Sequence, residues 1–215
     1  MKWFWLLLAV PLVVSTAYGA DPRLVYTKSF PGSEPAYIEI TVERNGSIVY
    51  KEAPDDNNPI AIQLDKADAD TIFALADKLD HFSHPLESPL KVAFMGKKTF
   101  RYEDGSGAKP SEAQFNYSTD TNAQALLDWF ERITETERDF IELERTVKYD
   151  KLGVQQALIQ TQVSADSKRL VAPKQFLPLL DRVVKNESYM HMARERAATF
   201  AQQIRAQDSA TAAGQ

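Results

Sequence analysis

The sequence predicts an α+β protein, with an antiparallel β-sheet packed with helices in its N-terminal half and a long helix followed by a helical hairpin or bundle in its C-terminal half. Three observations predict this. Apolar and polar residues alternate in several short runs before Thr121, apolar residues recur at three- and four-residue spacing through most of the chain after it, and Gly, Pro, Asn and Asp mark the changes. The organisation expected is a leader over residues 1–19, a sheet domain over 20–134, a helical region over 135–206 and a disordered tail over 207–215.

The leader has three parts. Lys2 is followed by an uncharged run from Trp3 to Val14, broken only by Pro11, and then by the small-polar stretch Ser15 to Ala20. This is the layout of a secretory signal peptide. An apolar run of about a dozen residues is short of the ~20 that span a bilayer, so cleavage is expected, with no stable membrane insertion afterwards. Ala17 and Gly19 supply the small side chains the peptidase needs, which places the cut before Ala20. The protein is therefore expected to be periplasmic or secreted. With no cysteine in the chain, lipid attachment through a lipobox, thiolate catalysis, iron–sulfur clusters and Cys-based zinc sites are all excluded. The formal net charge of −5, from 25 basic and 30 acidic residues, argues against a nucleic-acid partner.

Along the mature chain, Leu24 to Phe30 forms a first strand ended by Pro31-Gly32. Tyr37 to Glu43 alternates, with Ile38, Ile40 and Val42 on one face. Asn45-Gly46 suits a type I′ hairpin turn before Ile48-Val49-Tyr50 returns. A short strand, Ile60 to Leu64, follows the acidic-polar loop Asp55 to Pro59. Asp65 caps a helix from Lys66 to Leu79, whose stripe is Ile72, Leu75, Ala76 and Leu79. Leu90 to Phe94 and Thr99 to Glu103 then read as a second hairpin about Gly96-Lys97, and Ala113 to Ser118 as a further strand.

From Thr121 a long helix begins. Leu126, Phe130, Ile133, Glu137, Phe140, Glu144 and Val147 make a heptad seam interrupted by two glutamates, which favours packing on the sheet and then on other helices over a dimeric coiled coil. Gly153 marks a kink or break. Pro173 suits a first helical turn, Leu177, Leu180, Val183 and Val184 form the next stripe with Pro178 bending it, and Asn186-Glu187-Ser188 caps a final helix to about Ile204. Residues from Asp208 onward have nothing to bury and are expected to be disordered.

No catalytic or cofactor signature emerges, and no cofactor is expected. His81 and His84, with Asp80 and Glu87, are the nearest approach to a metal cluster, because imidazole and carboxylate are proper zinc ligands. Their place at a helix end and in a Pro-containing loop also fits ordinary capping. The Asp55–Asn58 loop lacks the Gly and Glu of a calcium loop, since Ile60 and Lys66 stand at those positions. Nucleophile elbows and phosphate loops are absent as motifs. Tyr37, Tyr50, Phe100 and Tyr102 offer a ligand-binding face on the sheet.

The run Phe30-Pro31-Gly32-Ser33-Glu34-Pro35-Ala36-Tyr37, followed by Ile38, Ile40, Gly46 and Tyr50, resembles a bacterial domain family of unknown function found in exported proteins. There a Gly-x-x-Pro-x-Tyr core opens a β-hairpin. The likeness covers roughly Leu24 to Ile133 and departs at Phe30 and Glu34, where the family carries cysteines. Three other segments, Pro89 to Ala93, Gly96 to Tyr102 and Leu179 to Val183, are similar to full-length uncharacterised exported proteins. The resemblance implies fold and location, not activity. The expected function is a non-catalytic envelope or secreted module that binds an envelope protein or peptide. A metal-dependent hydrolase using His81, His84 and Glu87, and small-ligand binding on the sheet face, are the alternatives.

Overall fold

A computed structural model describes residues 21–213, so the expected leader and its cleavage residues Ala17, Gly19 and Ala20 lie outside the described residues. Six strands form one antiparallel sheet: β1 (Arg23–Ser29), β2 (Tyr37–Glu43), β3 (Ser47–Lys51), β4 (Ile60–Gln63), β5 (Lys97–Glu103) and β6 (Ser111–Phe115). Their order is β4-β3-β2-β1-β5-β6. Period-two alternation puts one parity of side chains on one face. Leu24 and Tyr26, Ile38, Ile40 and Val42, Ile48 and Tyr50, Phe100, and Ala113 and Phe115 are all buried there. The register sets Tyr50, Ile40, Tyr26, Phe100 and Ala113 side by side across five strands.

Two helices cover that face. Helix α1 (Lys66–Lys78) buries Ile72, Phe73 and Ala76. Helix α2 (Thr121–Tyr149) starts at Asp120, whose carboxylate accepts from the backbone N–H groups of Asn122 and Ala123, and its Leu126, Phe130 and Ile133 complete the same core. Among the described residues no helix covers the outer face of the sheet. It presents mainly polar residues such as Thr27, Glu39, Lys51 and Arg101.

Helix α2 then leaves the sheet and enters a second core. There Leu143 and Val147 meet α3 (Val154–Asp166), the 3₁₀ turn Pro173–Phe176, α4 (Leu177–Lys185) and α5 (His191–Ala213). At the junction Thr136 and Glu137 are both fully buried. The seam therefore includes Glu137, but Glu144 is exposed and Leu143 is buried in its stead. The buried set changes because α2 passes there from the sheet core to the helical core, whose elements meet a different side of it.

Five local expectations need correction. Leu90 to Gly96 forms no strand. Both edges of β5 are occupied, by β1 and β6, so no edge remains for a hairpin partner. The β2–β3 turn is not type I′. Gly46 alone takes a positive φ of 87°, its N–H donates to the Glu43 carbonyl, and the Asn45 side chain accepts from the Ser47 N–H, which is a three-residue loop with a glycine bulge. Pro178 sits in the first turn of α4 and bends nothing. The Asn186 side chain shapes the turn ahead of α5 by accepting from the Ser188 N–H, while the helix itself starts at His191. Finally, the tail expected to be disordered over 207–215 continues α5 through Ala213, with Asp208 paired to Lys174 of the preceding 3₁₀ turn.

Candidate functional site

The predicted metal ligands go to separate partners. Helix α1 is followed by a left-handed turn in which Asp80, His81 and Phe82 have φ of 47°, 50° and 66°. Such backbone costs roughly 1–2 kcal/mol per non-glycine residue and needs local support. Phe82 supplies it by burial, and His81 by a 2.8 Å contact from Nε2 to Asp77 Oδ1 and a stack on Tyr102 with centroids 4.0 Å apart. His84 lies 3.9 Å from Asp80, and the Glu87 carboxylate accepts from the Asn116 N–H. Among the described residues no three His, Asp or Glu side chains are placed to hold a metal ion. His81 is thus a structural anchor of the turn.

The four residues expected to form a binding face do not share one. Tyr37 is on the open face, its hydroxyl donating to Glu39 at 2.8 Å. Tyr50 and Phe100 lie in the core under the helices, and Tyr102 packs at its margin against His81. Strand parity decides this: Tyr37 is out of phase with Ile38, whereas Tyr50, Phe100 and Tyr102 are in phase with the buried positions.

The structure instead forms a cleft of about 420 Å³ between the ends of β1, β5 and β6 and the first turns of α2. Its walls are chiefly Phe30, Phe94, Met95, Phe115, Tyr117 and Leu127. Above it runs the irregular segment Leu90–Met95, with Leu90 and Phe94 each 58% exposed and Val92 and Met95 also open to solvent. One residue clasps this roof. The Asn116 side chain accepts from the Met95 N–H at 2.7 Å and donates to the Ala93 carbonyl at 3.0 Å. Phe94 also rests edge-on against Phe30, with centroids 5.7 Å apart.

Three charged groups reach the cleft: Lys28, Lys98 and Glu131. Lys98 is 4% exposed and donates to the carbonyls of Asn116, Met95 and Gly96. Burial first, and the neighbouring Lys28 charge second, push the pKa of its ammonium down, while Glu131 and Glu87 oppose the shift. Strand parity in the sequence carries a signal for this site. Lys28 and Lys98 stand at the buried parity of β1 and β5, where a charged residue interrupts an otherwise apolar series.

A larger cleft, of about 550 Å³, lies where α2 meets α3. Four of its acids are committed, Glu135 to Arg169, Glu142 to Arg145, Asp139 to the Ser164 hydroxyl and Glu52 to the Tyr50 hydroxyl, while Glu34 at its rim is exposed to solvent. Its walls are mostly charged and polar, with Ile141 and Pro35 as the apolar exceptions, which sets it apart from the aromatic cleft.

On α2, Glu137 is fully buried at the junction of the two cores. Its Oε1 accepts from Gln175 Nε2 at 2.8 Å, and Oε2 has no protein partner. Burial pushes its pKa up to about 7 against the smaller, lowering effect of Gln175. Its Gln175 bond ties α2 to the 3₁₀ turn Pro173–Phe176, and it acts as a buried junction group.

Compared with known proteins, the chain matches no protein-family model and no curated protein.

Proposed function

We propose that the protein is an exported, non-catalytic binding module and that its ligand occupies the apolar cleft beneath the Leu90–Met95 segment. One observation carries this reading: an open cavity with aromatic walls is lined by Phe94 and Met95 of a loop that carries four exposed apolar side chains. Apolar cavities with a few placed polar groups are the usual form of small-ligand sites, and adjacent exposed apolar side chains mark contact surfaces. Export is supported by the leader's charge, length and small-residue pattern and by the resemblance around Gly32, Pro35 and Tyr37. No helix among the described residues is long and apolar enough to cross a membrane.

The cleft is tested with a neutral environment-sensitive dye, N-phenyl-naphthylamine. The mature protein is expected to bind it in one-to-one ratio. Phe94→Asp should weaken binding by about tenfold or more, since it sets a charge in an apolar wall, while Tyr149→Asp, at an exposed position on the distant bundle, leaves it unchanged. Equal binding by both variants, or none by the parent protein, would reject the cleft as the site. Export is tested separately by intact-mass measurement of native material, which should lack residues 1–19.

A further inference from the structure

The charges in the cleft are unevenly matched. Lys28 and Lys98 are direct cross-strand partners on β1 and β5, so two ammonium groups share its sheet side. Like charges on opposed residues destabilise a sheet unless something offsets them. Lys98 has spent its donors on three neutral carbonyls. Lys28, half-buried, makes no hydrogen bond or ion pair among the described residues. Glu131 on α2 faces the same space, yet it too forms neither with these lysines. The cleft therefore holds one unengaged cation, a buried cation beside it and a single opposing carboxylate, with aromatic and aliphatic walls around them.

We infer that the cleft takes a single-chain amphiphile with a carboxylate head, the head paired with Lys28 and the chain lying along Phe30, Phe94, Phe115 and Leu127. This rests on the cleft being the binding site. The head is a monoanion because two lysines and one glutamate leave one net positive charge, whereas a doubly charged phosphate monoester would meet Glu131 with charge to spare. A compact ammonium on a flexible stem suits a point contact with such a head. The roof follows from the same chemistry, since Phe94 and Met95 line the cleft and can cover a chain but offer its head no partner. The volume of about 420 Å³ lies toward the lower end of small-ligand sites, which suits one chain.

Titration of the mature protein with dodecanoate, dodecanol and dodecyltrimethylammonium, all below their micelle concentrations and followed by displacement of the neutral dye, decides it. Dodecanoate should bind about tenfold or more tightly than dodecanol, the worth of one charge-assisted hydrogen bond. Lys28→Gln should abolish that preference, Lys28→Arg should retain most of it, and Glu131→Gln should increase it. Lys91→Gln, on the roof but outside the cleft, should leave it unchanged. Equal binding of dodecanol, or tighter binding of the cationic amphiphile, overturns the head-group assignment while leaving the cleft standing. Failure of every amphiphile to displace the dye, or of the dye to bind, removes the cleft itself. Adsorption to phosphatidylglycerol vesicles without binding of dodecanoate monomer would likewise overturn the inference in favour of a membrane surface.

Discussion

The sheet half and the helical half are built from different side chains for one geometric reason. Under the sheet the core is aromatic. Tyr26 stacks on Phe130 at 4.7 Å between centroids, and Phe100 touches Tyr26, Phe82, Phe115 and Phe130. In the bundle Phe176 and Phe200 are accompanied by buried alanines, Ala157, Ala193, Ala197 and Ala201. Helices laid on a broad sheet leave space that large rings fill, whereas helices packed on helices approach to ~8–10 Å and need small residues at the contacts. Helix α2 serves both, with rings in its first half and Leu143, Thr146 and Val147 in its second.

The comparison breaks most readily at the rings. Phe100→Ala should cost about 3–5 kcal/mol, the usual price of a large cavity, and Ala197→Leu about 1–3 kcal/mol by overpacking. Urea unfolding followed by circular dichroism should show one transition in both variants, because α2 carries both cores. A second transition in either would mean that the halves unfold separately.

The junction gives the next largest effect. Glu137 has a folded pKa of about 7, above the ordinary carboxylate value. The folded state thus keeps a proton that the unfolded chain has lost, and stability falls as pH rises from the usual carboxylate range to about 7, then levels off. The whole loss is on the order of 3 kcal/mol. Glu137→Gln keeps a partner for Gln175, so it should flatten this dependence and raise stability at pH ~8 by a comparable amount. Matching pH profiles for the two proteins would remove Glu137 from the account.

Smaller effects separate the roof from the core. Asn116→Ala deletes two side-chain hydrogen bonds and should cost about 1–2 kcal/mol. Its specific sign is faster amide exchange at Met95 with little change in the strands. Least of all, Tyr26→Phe removes a buried hydroxyl that has no partner and should stabilise the sheet half by about 1 kcal/mol, read as a higher urea midpoint.

Much of the fold was legible because burial on one face writes itself into the sequence at period two or at helical spacing. The strand Tyr37–Glu43 and the start of the long helix at Thr121 fall where alternation and the change to helical period place them. The candidate site was less legible. Leu90, Val92 and Phe94 alternate like a strand, and only the pairing of β5 with β1 and β6 shows that they have no edge to join. His81 and His84 are close in sequence but face Asp77 and Asp80, since the intervening left-handed turn redirects them.

The sequence alone determined the α+β class, the parity of the strands and the exclusion of thiol chemistry, because each depends on residue type and spacing along the chain. Only the tertiary structure decided that Lys28 and Lys98 stand together at an apolar cleft, that Asn116 holds its roof and that Glu137 is buried between two cores. Those relations join residues remote in the chain, and strand order and helix direction, which no local pattern encodes, bring them into contact.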